Sequence, residues 1–91
     1  MAIGIYFQGN AVTTTQYDEG IRRLEAAGAG SPTGRLFHSA FGESGGLSIY
    51  DIWDTQADFD KFGETLMPIL AEIGMDPGTP SIVPMHNFIF G

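Results

Sequence analysis

Leu47-Ser48-Ile49-Tyr50-Asp51-Ile52-Trp53-Asp54-Thr55-Gln56-Ala57-Asp58-Phe59 contains the end of a strand, the start of a helix and the junction between them. Leu47 to Trp53 is dominated by large apolar, aromatic and β-branched residues, the composition of a strand. Asp54 or Thr55 then supplies a side-chain oxygen for the free N–H groups of a first helical turn, and Asp58 lies near its positive end. From there Phe59, Phe62, Leu66, Ile69, Leu70 and Ile73 recur at spacings of three and four, one face of a helix. Pro68 falls inside that stripe. It cannot donate to the Glu64 carbonyl, which predicts a kink or two short helices packed on one surface.

Upstream, Gly42-Glu43-Ser44-Gly45-Gly46 separates this strand from a second strand-like run, Arg35 to Phe41, and the pair reads as a β-hairpin. With a four-residue loop Glu43–Gly46, or a two-residue loop Ser44-Gly45, His38 faces Asp51 and Leu36 faces Trp53. A further strand is expected from Ala2 to Gln8. A helix follows it, opened by the capping box Thr13-x-x-Gln16 and closed by Gly28. Tyr17, Ile21 and Leu24 share one face of this helix, while Asp18 with Arg22 and Glu19 with Arg23 form acid-before-base pairs elsewhere on it. Gly20 inside the helix costs about 1 kcal/mol against Ala and has no local explanation. Past a turn-rich connector, Ser81 to Phe90 reads as a last strand. Pro84 within it demands a sheet edge or a bulge.

The order β-α-β-β-α-β predicts a single ferredoxin-like α+β domain over residues 1–91. Its antiparallel sheet has strands ordered 4-1-3-2, the central pair alone expected parallel, and both helices on one face. The fourth strand is an edge, as Pro84 requires. Ninety-one residues leave no room for a second core.

Composition narrows the partners. Four Lys plus Arg against eleven Asp plus Glu give a net charge of −7, which argues against nucleic acid or an anionic membrane as partner. With no Cys, disulfides and thiolate metal sites are excluded. The N-terminus has no basic segment and no evident cleavage site, so a cytoplasmic protein is expected. Both sides of the sheet are apolar. Ile3, Ile5 and Phe7 alternate with Ala2 and Tyr6, and Leu47, Ile49 and Trp53 with Tyr50 and Ile52. Two helices cover one side, and a second copy of the sheet is the expected cover for the other. A homodimer follows.

This element order, with Trp53-Asp54-Thr55-x-x-x-Phe59 at the third strand–second helix junction, resembles the dimeric α+β barrel superfamily, whose small members include the antibiotic-biosynthesis monooxygenase-like proteins. The resemblance implies a dimer with a pocket between sheet and helices. It also implies oxygenation of an aromatic or conjugated substrate with no cofactor: a base removes a proton and the carbanion reacts with O₂. The family's common His in the second helix is matched here by Phe62, so the haem-degrading branch is less similar.

Polar residues set in apolar strands are the candidate chemistry. His38 opposite Asp51 forms a base pair in which the carboxylate fixes the imidazole tautomer, and the alternative is a satisfied structural pair. Tyr6, Tyr50 and Trp53 are aromatic residues with polar handles that could position a flat ligand, and His86 joins them from the last strand. His38 and His86 lie on opposite sheet edges, so no metal site is expected. The competing function is a non-catalytic dimeric module binding a metabolite or an interaction partner.

Overall fold

The computed structural model describes all residues from Met1 to Gly91. Its elements are β1 (Ile3–Gln8), α1 (Thr14–Ala26), β2 (Arg35–Phe41), β3 (Ser48–Trp53), α2 (Gln56–Glu72) and β4 (Ser81–Pro84). The sheet order is β2-β3-β1-β4, the expected 4-1-3-2. Every neighbouring pair is antiparallel, including the central β1–β3 pair, which the sequence reading had parallel. The reason is topological. A crossover through α1 lays β2 parallel to β1, the hairpin then reverses β3, and β3 enters the sheet beside β1 running against it.

Helix starts follow the local chemistry. Thr13 accepts from the Gln16 N–H, and the Gln16 side chain accepts from the Thr13 N–H, a complete capping box. Thr55, rather than Asp54, caps α2 by accepting from the Asp58 N–H. α2 continues through Pro68 as one helix rather than two. Gly34 adopts φ +87° against this cap, where a Cβ would lie 2.3 Å from Asp58 Oδ2. Only glycine fits there.

The inner face of the sheet packs on the helices. Ile5 and Trp53, both fully buried, join Phe7, Leu24 and Phe62, while Val12, Leu47, Leu70 and Met75 form an adjoining cluster. Ile49 and Leu66 pack against both clusters.

The outer face differs from expectation at its C-terminal end. β4 stops at Pro84 instead of running to Phe90. Met85 still bonds back, its N–H donating to the Ala2 carbonyl, and its side chain lies over Gly4 and beside Tyr50. Farther on, Phe90 meets Phe37 of β2 with ring centroids 6.1 Å apart. The last residues thus cross the outer face from its β4 edge to its β2 edge, and Pro84 is tolerated because the Met85–Ala2 bond, in register with the strand pair, leaves the Pro84 nitrogen on the open edge. Tyr6, Phe37, Phe41 and Val83 remain exposed to a third or more of their surface. No helix is long and apolar enough to cross a membrane.

Candidate functional site

β2 and β3 pair with His38 opposite Asp51, as the hairpin register predicts. The register shifts between Arg35 and Phe37, so Arg35 rather than Leu36 stands opposite Trp53. A bulge there has a consequence for the site, because it brings Arg35 to the inner side while Leu36 turns out to solvent.

Asp51 shares the inner face with Ile49 and Trp53, and its side chain is only 6% exposed. A carboxylate so placed needs partners. It has two: Oδ1 lies 2.6 Å from His38 Nδ1, and Oδ2 accepts from Trp53 Nε1 at 3.2 Å. On the far side of the imidazole, His38 Nε2 lies 2.6 Å from the Tyr17 hydroxyl of α1. The carboxylate accepts, so Nδ1 carries the hydrogen; in the neutral imidazole Nε2 is then the acceptor and Tyr17 donates to it. The result is a row running Trp53–Asp51–His38–Tyr17 across two strands and a helix. No buried side-chain nitrogen or oxygen in the protein lacks a partner.

Tyr17, His38 and Asp51 of this row form part of the wall of a cavity of about 60 Å³ between sheet and helices. Phe7, Phe59, Phe62 and Leu66 supply apolar lining, and Tyr17, His38, Asp51 and Arg35 the polar groups. Arg35 is the one cationic side chain among them. It donates to the Gly30 carbonyl at 3.0 Å and lies over the Phe62 ring with its guanidinium carbon 6.0 Å from the centroid. Burial pushes the Tyr17 phenol above its ordinary value of 10.0, and the Asp51 carboxylate adds to that rise while Arg35 opposes it. Tyr17 is therefore a neutral hydrogen-bond donor at neutral pH.

Gly20 also lines this cavity from α1. A Cβ there would meet only Ile73 Cδ1 at 3.5 Å, an ordinary contact, so the backbone does not demand glycine. Any longer side chain would extend into the empty space. That supplies the reason for Gly20 that the helix pattern lacked.

Of the six residues singled out from sequence, His38, Asp51 and Trp53 come together. Trp53 does so as a buried partner of Asp51 and not as lining. Tyr6 and Tyr50 pair with each other on the outer face, away from the cavity. His86 lies beyond β4, exposed on the C-terminal segment. Tyr17 was missed. The α1 stripe accounts for it as a core residue, and the available signal was a hydroxyl on an otherwise apolar face, which needs a partner when buried.

No family model matches the chain, and no curated protein matches it by sequence. Solved structures do. SnoaB of Streptomyces nogalater, a cofactor-independent oxygenase, superimposes with TM-score 0.64 at 11% identity, over 97% of this chain and 94% of SnoaB. The chain has the fold of these monooxygenase-like proteins. A candidate antibiotic biosynthesis monooxygenase of Chloroflexus aurantiacus matches over the full length of both chains, with TM-score 0.61 and 16% identity. Another from Deinococcus radiodurans gives TM-score 0.61 and 11% identity, over 99% of this chain and 97% of that one. At these identities it is the fold that is shared.

Proposed function

We propose that the protein is a cofactor-independent oxygenase of small aromatic carbon acids, with the His38–Asp51 pair as its base. The observation that carries this reading is the 2.6 Å contact between His38 Nδ1 and a nearly buried Asp51 at the wall of an apolar cavity. A carboxylate held on one imidazole nitrogen leaves the other basic and stabilises the imidazolium formed when a proton arrives. The chemistry balances without a cofactor. Loss of a proton from an activated methylene leaves a carbanion, which supplies the electron pair that reduces O₂ to a hydroperoxide on that carbon. Loss of water then leaves a carbonyl, so CH₂ and O₂ become C=O and H₂O.

The active unit in this reading is a cytoplasmic homodimer joined through the outer sheet faces. Tyr6, Phe41 and Val83 are the apolar surface that association would remove from water, at about 25 cal/mol per Å².

An oxygen electrode with a panel of aromatic carbon acids, from one ring to three, tests the proposal. Consumption of O₂ with carbonyl product is expected for the wild-type protein, falling at least about a hundredfold in His38→Ala, the typical worth of a general base. Binding of panel members without O₂ uptake would overturn it and make the chain a metabolite-binding module.

A further inference from the structure

Both nitrogens of His38 are occupied. Nδ1 faces Asp51 at 2.6 Å and Nε2 faces the Tyr17 hydroxyl at 2.6 Å. A base whose acceptor atom already holds a hydrogen bond is not free to meet a ligand. The Tyr17 oxygen, in contrast, uses its hydrogen toward His38 and keeps its lone pairs, and Tyr17 lines the cavity. The two rings lie 6° from parallel with centroids 5.9 Å apart. With the short O–N contact, that places the phenol oxygen at the imidazole edge that carries Nε2.

We propose that Tyr17 is the residue that meets the substrate: its phenol oxygen takes the substrate's proton while its own proton moves to Nε2 of His38. One O–H bond breaks and one N–H bond forms as the substrate's O–H or C–H bond is replaced by a new O–H bond on Tyr17. The products are the substrate anion, neutral Tyr17 and an imidazolium facing the Asp51 carboxylate. Arg35, at the same wall, offsets the charge left on the substrate.

The proposal rests on the proton-abstraction reading above and adds the atom that performs it. Tyr17 has no need to be ionised at rest, because the ionisation belongs to the His38–Asp51 pair and Tyr17 only passes the proton on. The charged groups acting on Tyr17 are Asp51 of β3, Arg35 of β2 and Asp18 of α1 itself.

4-Nitrophenol is a suitable probe, because it is a small aromatic acid whose anion absorbs near 400 nm. Bound to the wild-type protein, its apparent pKa is expected to fall by about one unit, giving about tenfold more anion at a fixed pH below its free pKa. Tyr17→Phe keeps the ring and is expected to bind the probe within about tenfold, the worth of one lost hydrogen bond. The extra anion should nevertheless disappear. His38→Gln should abolish it too. A Tyr17→Phe protein that still ionises the probe while His38→Gln does not would overturn the relay and leave His38 as the direct base. No extra anion in the wild type, or the same anion in all three proteins, would remove the base reading and the relay together. An intact His38 Nδ1–H resonance in Tyr17→Phe separates loss of the relay from loss of the site.

Discussion

The two faces of one sheet are built from alternate residues of the same strands and do opposite things with their polar groups. On the inner face of β2 and β3, Asp51 and His38 lie under two helices. Every buried side-chain nitrogen and oxygen there has a partner, because an unpaired buried donor costs about 1–3 kcal/mol. On the outer face Tyr6 and Tyr50 stand among Phe37, Phe41 and Val83, and the chain's own last residues cover only part of it. Polar groups near water need no such completeness. The closed face can therefore hold a preorganised proton path, while the open face offers apolar area to another body.

The largest effect that separates the faces is expected at Trp53. Trp53→Ala empties a fully buried site and leaves Asp51 Oδ2 without its donor, and chemical denaturation should show a loss of about 3–5 kcal/mol. Phe41→Ala on the outer face, nearly half exposed, should cost under about 1 kcal/mol within one subunit. Equal losses at the two sites would break the contrast.

Next in size is Asp51→Asn, which keeps the shape but turns one acceptor into a donor facing an N–H. We expect a loss of about 2 kcal/mol by urea unfolding, and a disordered tautomer at His38. A double substitution Tyr6→Ser with Phe41→Ser should leave the inner face intact and weaken association at least about tenfold by sedimentation. A subunit that is already monomeric at micromolar concentration would contradict the outer-face reading.

Smaller still is the alkaline titration of Tyr17, seen as a transition above pH 10 in the wild-type minus Tyr17→Phe difference spectrum near 295 nm. The smallest effect belongs to Glu19, whose carboxyl the Arg22 and Arg23 guanidinium groups lower from 4.5 to about 2. A lowered folded-state value stabilises above the unfolded pKa and is lost as pH falls from 4.5 towards 2. Glu19 lies at the helix surface with a third of its side chain exposed, where solvent screens the pairs, so Glu19→Gln should change acid unfolding only slightly, and less in salt.

Much of the frame was readable from residues alone, because each element carried its own local chemistry. The Thr13–Gln16 box, the Phe59-to-Ile73 stripe and the glycine-rich hairpin loop each dictate their structure within a few residues. His38 opposite Asp51 followed from loop length. What failed depended on distant parts of the chain. The bulge at Leu36 moves Arg35 opposite Trp53, and no short-range pattern marks it. The direction of β3 against β1 is a property of the crossover. Tyr6 and Tyr50 were grouped with the site for their chemistry, although strand alternation already put them on the face opposite Ile5 and Asp51. Tyr17 reached His38 only once α1 had docked, so its spacing on the helix identified core and nothing more.

The central claim is the direction of hydrogen bonding through His38, and ¹⁵N-detected NMR of its imidazole tests it most directly. The account predicts a neutral ring with the hydrogen on Nδ1, a slowly exchanging Nδ1–H, and an Nε2 shift that moves when Tyr17 becomes Phe. A hydrogen on Nε2, or a ring exchanging freely between tautomers, would contradict it.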